Sequence, residues 1–320
     1  MNRRTSLSTL ALLALVLLSS SASLAQTAAD SSHPKAERVS RVGTLRVERY
    51  GSGSPALIFI PGLACGSWIW SDAVNAYAGS HTVYLVTLAG FDGVPLPTAE
   101  GSPLDLADAS LLALITNENL DRPILVGHSM GGFLALRFGE EHAALLRGVV
   151  AVDYGPVFAP AAQSSPEDRA TLAEDLAREM ATEPAARYAD SQNATIATMV
   201  TDPTNADRID ALTARSDQKA VAAYAGDLFR SDLRPQLSQL TVPTLEIAAV
   251  PTVPQGFEGP QAAKTPITQR EAAYKDFYTT LFPDAPNVTV VTVPNSKHYV
   301  MIDQPKALFD AITAFVAGLR

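Results

Sequence analysis

The sequence predicts an α/β fold in which a doubly wound, mostly parallel sheet is covered by helices on both faces. Two observations support this fold class. Short apolar runs, typical of strands buried on both faces, alternate along the chain with stretches of helical periodicity. The alternation stops near residue 155 and resumes near residue 241, which indicates a helical insertion into the sheet.

The predicted strands follow in order along the chain, at residues 44–50, 56–60, 82–86, 123–126, 149–152, 243–247 and 288–293. The first alternates apolar and polar residues, as a half-buried strand does. Most of the others are continuous apolar runs, which favours a buried parallel sheet. The predicted helices of the core cover residues 104–116, 131–141 and 305–319.

The pattern divides the chain into four parts. Residues 1–25 carry Arg3 and Arg4, a short leucine-rich run and small residues ending at Ala25, which predicts a cleavable signal peptide and a periplasmic or secreted protein. Residues 26–36 are polar and are expected to form a disordered lead-in. Residues 37–154 and 241–320 form the predicted core. Residues 155–240 form a predicted helical cap, with amphipathic helices at 167–180 and 217–229.

Composition excludes several classes of protein. The chain has 24 Lys and Arg against 33 Asp and Glu, so its net charge of -9 argues against binding to nucleic acids or to anionic membrane surfaces. The N-terminal apolar run is too short to predict a stable membrane anchor. A single cysteine excludes an internal disulfide, and the histidine spacing predicts no metal site. No cofactor is expected, and the composition leaves the oligomeric state open.

The sequence Gly-His-Ser-Met-Gly at residues 127–131 matches the G-x-S-x-G pattern. An apolar run enters it and a helical stretch leaves it, so Ser129 lies on a tight turn between a strand and a helix. Side chains two residues before and after the serine would collide in such a turn, which explains the glycines. The turn would present the Ser129 hydroxyl at a helix N-terminus, where N–H groups can stabilise a developing negative charge.

This turn, the order of the elements and a late histidine together resemble the α/β-hydrolase fold family, over nearly the whole chain after the signal peptide. The resemblance is strongest to members with a helical cap inserted after the sixth strand. It implies a mostly parallel, eight-stranded sheet. It also implies a catalytic triad in which serine, acid and histidine meet at the carboxyl edge of the sheet.

A serine hydroxyl needs a base that takes its proton. Among the five histidines, His33 lies in the lead-in, His81 begins a strand at the wrong edge, His128 belongs to the turn, and His142 follows the next helix. His298 remains, and it follows the last predicted strand, where the resemblance places the base.

The acid departs from the most common pattern of the family. The resemblance places Thr252 at the usual acid position after the cap, and a threonine cannot serve. Asp153 ends the strand before the cap, and some family members, including haloalkane dehalogenases, carry their acid there. Glu258 is the alternative, while Glu246 lies in mid-strand, too far from the sheet edge.

Attack on a carbonyl also needs two donors for the oxyanion. The motif supplies the N–H of Met130. The resemblance implies the N–H of Leu63 as the second, in a loop where Pro61 replaces the family's histidine. Cys65 in the same loop is interpreted as a small buried residue.

These features predict an exported serine hydrolase that cleaves a small, uncharged or apolar ester through an acyl-enzyme. The alternatives are lactonase, amidase or aminopeptidase activity, or cofactor-free haloperoxidase activity, on the same triad. A further alternative from another class is an inactive binding protein on the same scaffold.

Overall fold

The computed structural model describes residues 35–97, 99–253 and 264–319. The predicted signal peptide, nearly all of the lead-in and Glu258 lie outside the described residues. The described residues from Ala36 onward form one compact unit. Within the described ranges, no helix is both long and apolar enough to cross a bilayer.

The centre of the molecule is an eight-stranded, mostly parallel sheet, so the predicted α/β fold class is confirmed. The strands are β1 Arg38–Val42, β2 Leu45–Tyr50, β3 Leu57–Ile60, β4 Val83–Thr87, β5 Ile124–His128, β6 Gly148–Val152, β7 Thr244–Val250 and β8 Val288–Pro294. Their order across the sheet is β1-β2-β4-β3-β5-β6-β7-β8. β2 pairs antiparallel with β1 and with β4, and every other neighbouring pair is parallel.

The register of β5, β6 and β7 determines which residues meet at the carboxyl edge. His128 of β5 pairs with Val152 of β6, and Val152 pairs with Ile247 of β7. The residues that follow β5 and β6, Ser129 and Asp153, therefore leave the sheet side by side at the edge where open α/β sheets bind ligands.

Helices cover both faces of this sheet. The core helices are α1 Ser71–Tyr77, α2 Pro103–Asn117, α3 Met130–Glu141, α8 Ile267–Thr280, α9 Val300–Asp303 and α10 Pro305–Gly318. Between β6 and β7 lie α4 Pro166–Thr182, α5 Ala185–Met199, α6 Pro203–Thr213 and α7 Gln218–Arg230, here called the cap segment. Ser102 and Ser165 cap α2 and α4 through hydrogen bonds to the N–H of the third helical residue.

The cap segment packs against itself and against the core. α4 lies along α7, and Gly226 allows their close approach, since a Cβ there would lie only 3.0 Å from that of Ala177. Tyr224 and Leu228 of α7 belong to the apolar cluster on one face of the sheet, and Ile196 and Ile209 of α5 and α6 belong to that on the other. Cap and core therefore share their buried apolar surface.

The labelled elements differ from the predicted ones in six places. β1 precedes the first predicted strand, and no helix is predicted for the stretches that form α1, α5, α6, α8 and α9. The other predicted strands and helices agree with the structure to within about three residues at each end.

Candidate active site

Ser129 lies between β5 and α3 in a conformation that few residues adopt. Its φ is +54° and its ψ is −121°, a region in which a side chain is strained. Its N–H donates to the Val152 carbonyl at 2.9 Å, which holds the turn against β6. Ser129 is only 9% exposed.

The flanking glycines make this turn possible. A Cβ on Gly127 would lie 2.0 Å from the Gly131 carbonyl oxygen, and one on Gly131 would lie 2.4 Å from the Ile60 oxygen. Both contacts are with backbone atoms, which cannot rotate away. The steric argument made from the sequence therefore agrees with the geometry of the turn.

The His298 ring and the Asp153 carboxylate meet at the same edge of the sheet. His298 Nδ1 donates to Asp153 Oδ2 at 2.7 Å, a length typical of a charge-assisted hydrogen bond. With the proton on Nδ1, Nε2 carries a free lone pair and can accept a proton. The two side chains are 22% and 12% exposed, so the pair is well shielded from water.

Asp153 is oriented by three further contacts. It has a φ of +56°, and its N–H donates to the Ile247 carbonyl of β7 at 2.8 Å. Its Oδ1 accepts from the Ala249 N–H at 2.9 Å and from the Tyr278 hydroxyl at 3.0 Å. Each oxygen of this carboxylate thus has at least one donor, which leaves little freedom for the side chain to rotate.

Glu246 lies nearby in the middle of β7 and is completely buried. Burial, with the negative charge of Asp153 as a second cause, raises the pKa of Glu246 well above its usual range. The charged form of Glu246 is therefore disfavoured in the folded protein.

His128 contacts both the backbone and the ring of the candidate base, His298. Its Nε2 donates to the backbone carbonyl of His298 at 2.9 Å, and the two ring centroids are 4.7 Å apart. Burial, and next the positive charge that His298 can carry, lower the pKa of His128 well below its usual value. A neutral His128 ring can hold the His298 backbone without competing for protons.

The loop after β3 passes directly over Ser129. A Cβ on Gly62 would lie 3.2 Å from the Ser129 Cβ, so Gly62 lies against the serine. Leu63 is the next residue of this loop. Met130 is the first residue of α3, where an N–H has no acceptor within the helix. The predicted donors Leu63 and Met130 therefore belong to the two segments that border the Ser129 side chain.

Cys65, in the same loop, is buried and in sulfur–oxygen contact with the Tyr299 hydroxyl at 3.8 Å. Burial raises the pKa of its thiol to about 12. A thiol that stays protonated at neutral pH is a poor nucleophile, in agreement with its interpretation as a small buried residue.

Ser129, His298 and Asp153 all line one cavity of about 640 Å³ between the sheet edge and the cap segment. The volume is in the range of small-molecule sites. Its described walls are mainly apolar, and the cap contributes Phe158, Leu176, Met180, Ile196, Met199, Leu228 and Phe229. In the described part of the chain, no hydrogen bond joins the Ser129 hydroxyl to the His298 ring. Such bonds are often long before substrate binds.

The sequence did not indicate Tyr278 or the buried state of Glu246 as parts of this site. Tyr278 lies on α8, and the only signal for that helix was the pair of aromatic residues Tyr274 and Tyr278 at helical spacing. Thr252, at the usual acid position, instead donates to the Asn295 side chain at 3.1 Å.

Comparisons with known proteins show which family the chain belongs to. A family model described as the alpha/beta hydrolase family matches residues 57–311. One relative, the 2-(acetamidomethylene)succinate hydrolase of Mesorhizobium japonicum, is 28% identical over 283 residues, which cover 85% of this chain and 91% of the relative. A pimeloyl-[acyl-carrier protein] methyl ester esterase of Aeromonas hydrophila is 29% identical over 115 residues, covering 36% of this chain and 43% of the esterase.

Solved structures share the fold at low identity. The enol-lactonase of Burkholderia xenovorans superimposes with a TM-score of 0.66 at 18% identity, covering 88% of this chain and 100% of the lactonase. An esterase of Thermogutta terrifontis gives a TM-score of 0.67 at 19% identity, over 88% of this chain and 99% of the esterase. With the family model matched over most of its length, the chain is a hydrolase that belongs to the alpha/beta hydrolase family.

Proposed function

We propose that the protein is a serine hydrolase that cleaves small, uncharged or apolar esters through an acyl-enzyme. The observation that supports this most directly is the 2.7 Å hydrogen bond from His298 Nδ1 to Asp153, in a cavity that Ser129 also lines. That bond leaves His298 Nε2 as the atom able to take a proton from Ser129.

In the proposed mechanism, the Ser129 oxygen attacks the ester carbonyl carbon while its proton moves to His298 Nε2. The N–H groups of Leu63 and Met130 stabilise the oxyanion, and the Asp153 carboxylate stabilises the imidazolium. The C–O bond to the leaving alcohol breaks as Nε2 protonates it. Water, deprotonated by the same nitrogen, then releases the acid and restores the serine.

The charges of the cavity favour an uncharged substrate. Arg187 is the only lysine or arginine among the described residues of its wall, and its Nε pairs with Glu183 at 3.0 Å. Glu179 also lines the cavity. A dicarboxylate such as the succinate in the name of the Mesorhizobium relative would have no unpaired cation to bind in this wall.

A fluorophosphonate probe tests the serine mechanism. The probe is expected to label the wild-type protein, and not Ser129→Ala or His298→Ala, with all three proteins checked for folding by circular dichroism. We expect Asp153→Asn to lower kcat by roughly 10²–10⁴-fold, because the neutral His298 ring is no longer held in the required tautomer and the imidazolium loses its counter-charge. An unlabelled wild type would support an inactive scaffold, and a fully active Asp153→Asn would transfer the acid role to Glu258.

Matched p-nitrophenyl esters test the substrate class. Butyrate and hexanoate esters are expected to give a kcat/KM at least about 10-fold higher than the hemisuccinate ester, because the anion must enter an acidic cavity. Lactones and amino-acid amides are measured beside them. A higher kcat/KM for the hemisuccinate, a lactone or an amide would contradict the proposed substrate class.

We also infer export through the N-terminal segment. The supporting features are Arg3, Arg4, the leucine-rich run and the small residues before Gln26. Expression of the full chain in a Gram-negative host, followed by fractionation and N-terminal sequencing, is expected to give a periplasmic protein that begins at Gln26. Cytoplasmic protein that retains its N-terminus would contradict this.

A further inference from the structure

The cap segment is hydrogen-bonded to the loop that carries His298. The Tyr299 N–H donates to the Met199 carbonyl at 3.1 Å, and the Lys297 ammonium donates to the Val200 carbonyl at 2.9 Å. Met199 is the last residue of α5 and lines the cavity. The residues on both sides of the candidate base therefore contact the end of a cap helix.

Asp303 joins the same two segments through its carboxylate. Its Oδ1 accepts from the Thr201 N–H at 2.9 Å, and its Oδ2 accepts from the Thr201 hydroxyl at 2.8 Å. Oδ2 also accepts from the Lys297 N–H at 2.8 Å. One side chain thus binds the cap segment and the residue immediately before His298, with three bonds to an ionisable acceptor.

Two further hydrogen bonds hold His298 itself. Its carbonyl is held by His128 Nε2 at 2.9 Å, and its ring is held by Asp153 at 2.7 Å. Because Lys297 is bonded directly to His298, its contacts with the cap segment and with Asp303 bear on the placement of the His298 ring relative to Ser129. In-line proton transfer is sensitive to small displacements.

We propose that Asp303 is a positioning residue that couples the cap segment to the candidate base, so that the placement of Met199–Thr201 over the cavity and the orientation of the His298 ring change together. This inference rests on the proposed serine mechanism. A substrate that packs against Met199 or Ile196 in the cavity wall would act on His298 through Thr201 and Asp303.

Three variants test the coupling, with active sites counted by fluorophosphonate titration and kcat measured on p-nitrophenyl butyrate. Asp303→Asn is expected to lower kcat per titrated site by about 10-fold or more, and to change KM less, because the charged acceptor of both segments is lost. Thr201→Val, which removes only the cap-side hydroxyl, is expected to lower kcat by about 3-fold. Asp310→Asn makes the same chemical change on α10, where Asp310 pairs with exposed Lys306, and should leave kcat within about 2-fold of wild type.

The double variant separates coupling from a structural role. If Asp303 transmits the effect, Thr201→Val in the Asp303→Asn background causes no further loss of kcat. A merely structural Asp303 would lower the melting temperature and the number of titratable sites but leave kcat per site unchanged, and that result overturns the inference. If Asp303→Asn does not fold, the test rests on Thr201→Val alone. An unchanged kcat in that variant also overturns the inference. An inactive wild type would refute the proposed function, whereas an active wild type with an unaffected Asp303→Asn refutes only the coupling.

Discussion

At the scale of single residues, the carboxylate of Asp153 is held more firmly than a surface aspartate could be. The Tyr278 hydroxyl and the Ala249 N–H both donate to Oδ1, while His298 occupies Oδ2. Burial, followed by the negative charge of Asp153, raises the pKa of Tyr278 well above its usual value, so this hydroxyl stays protonated and remains a donor. The position of the Asp153 carboxylate thus depends on Tyr278, which lies 125 residues further along the chain.

Removing that hydroxyl is expected to weaken catalysis without disrupting the fold. Tyr278→Phe should lower kcat/KM on p-nitrophenyl butyrate by about 3- to 30-fold, the range expected for losing one hydrogen bond to a charged group. Tyr84→Phe is the control: it removes a buried-strand hydroxyl that donates to Glu118 at 3.3 Å and is not among the described residues of the cavity wall, so it should stay within about 2-fold of wild type. Wild-type activity in Tyr278→Phe would show that Ala249 and His298 suffice to orient Asp153.

Ser129, His298 and Asp153 could be chosen from the sequence because each follows a predicted strand, and the parallel pairing of β5 with β6, β6 with β7 and β7 with β8 brings the ends of those strands to one edge of the sheet. Their catalytic roles remain a prediction, as does the alternative acid Glu258, which lies outside the described residues. Tyr278 could not be found in this way, because its hydrogen bond depends on the angle at which α8 packs against the sheet. No local pattern of residues encodes that angle.

At the scale of elements, buried strands were predictable and thinly packed helices were not. Every residue of β3, β5 and β6 is buried, and nearly all of these residues are apolar. A short, continuous apolar run of this kind is typical of a strand buried on both faces. By contrast, α5 buries only Ile196 and α8 buries Arg270 and Tyr274, so neither shows a clear apolar stripe. β1 is a largely exposed edge strand and carries no burial signal at all.

The helix α3 carries a buried acid that makes stability depend on pH. Burial, with the charge of Glu141 as a second cause, raises the pKa of Glu140 from its ordinary 4.5 to about 8. The folded protein therefore keeps this proton over a pH range in which the unfolded chain has lost it. The free energy of unfolding should fall as pH rises from about 4.5 to 8, by on the order of 2–4 kcal/mol from this group.

Glu140→Gln isolates that contribution. The amide cannot ionise, so the variant should lose less stability than wild type between pH 5 and pH 8.5 in urea denaturation followed by circular dichroism. Glu174→Gln, on an exposed position of α4, removes the same charge and should follow the wild-type pH dependence. Parallel curves for wild type and Glu140→Gln would mean that Glu140 ionises normally.

At the scale of the whole molecule, cap and core are expected to unfold together. The two apolar clusters each contain residues of both, and Ser216 of the cap segment donates to the Ala64 carbonyl of the loop over Ser129 at 2.8 Å. Separating the cap would expose apolar surface on both sides of the cavity. The sequence predicts an insertion at this place, but which core residues the cap shares depends on tertiary packing that no local pattern of residues encodes.

Calorimetry of the protein provides the test. We expect one transition, with a van't Hoff enthalpy close to the calorimetric enthalpy. Loss of fluorophosphonate labelling should coincide with it. A separate transition at lower temperature, with labelling lost there, would indicate that the cap segment melts on its own.

The buried, weakly acidic thiol of Cys65 has a practical consequence. Maleimide reagents react with thiolates, and Cys65 is 1% exposed with a thiol pKa of about 12, so the native chain should be nearly inert towards them. A cysteine introduced at an exposed cap position such as Leu172 would then accept a fluorophore or spin label at a single site. The motion of the cap during turnover can thus be followed spectroscopically without first removing the natural cysteine.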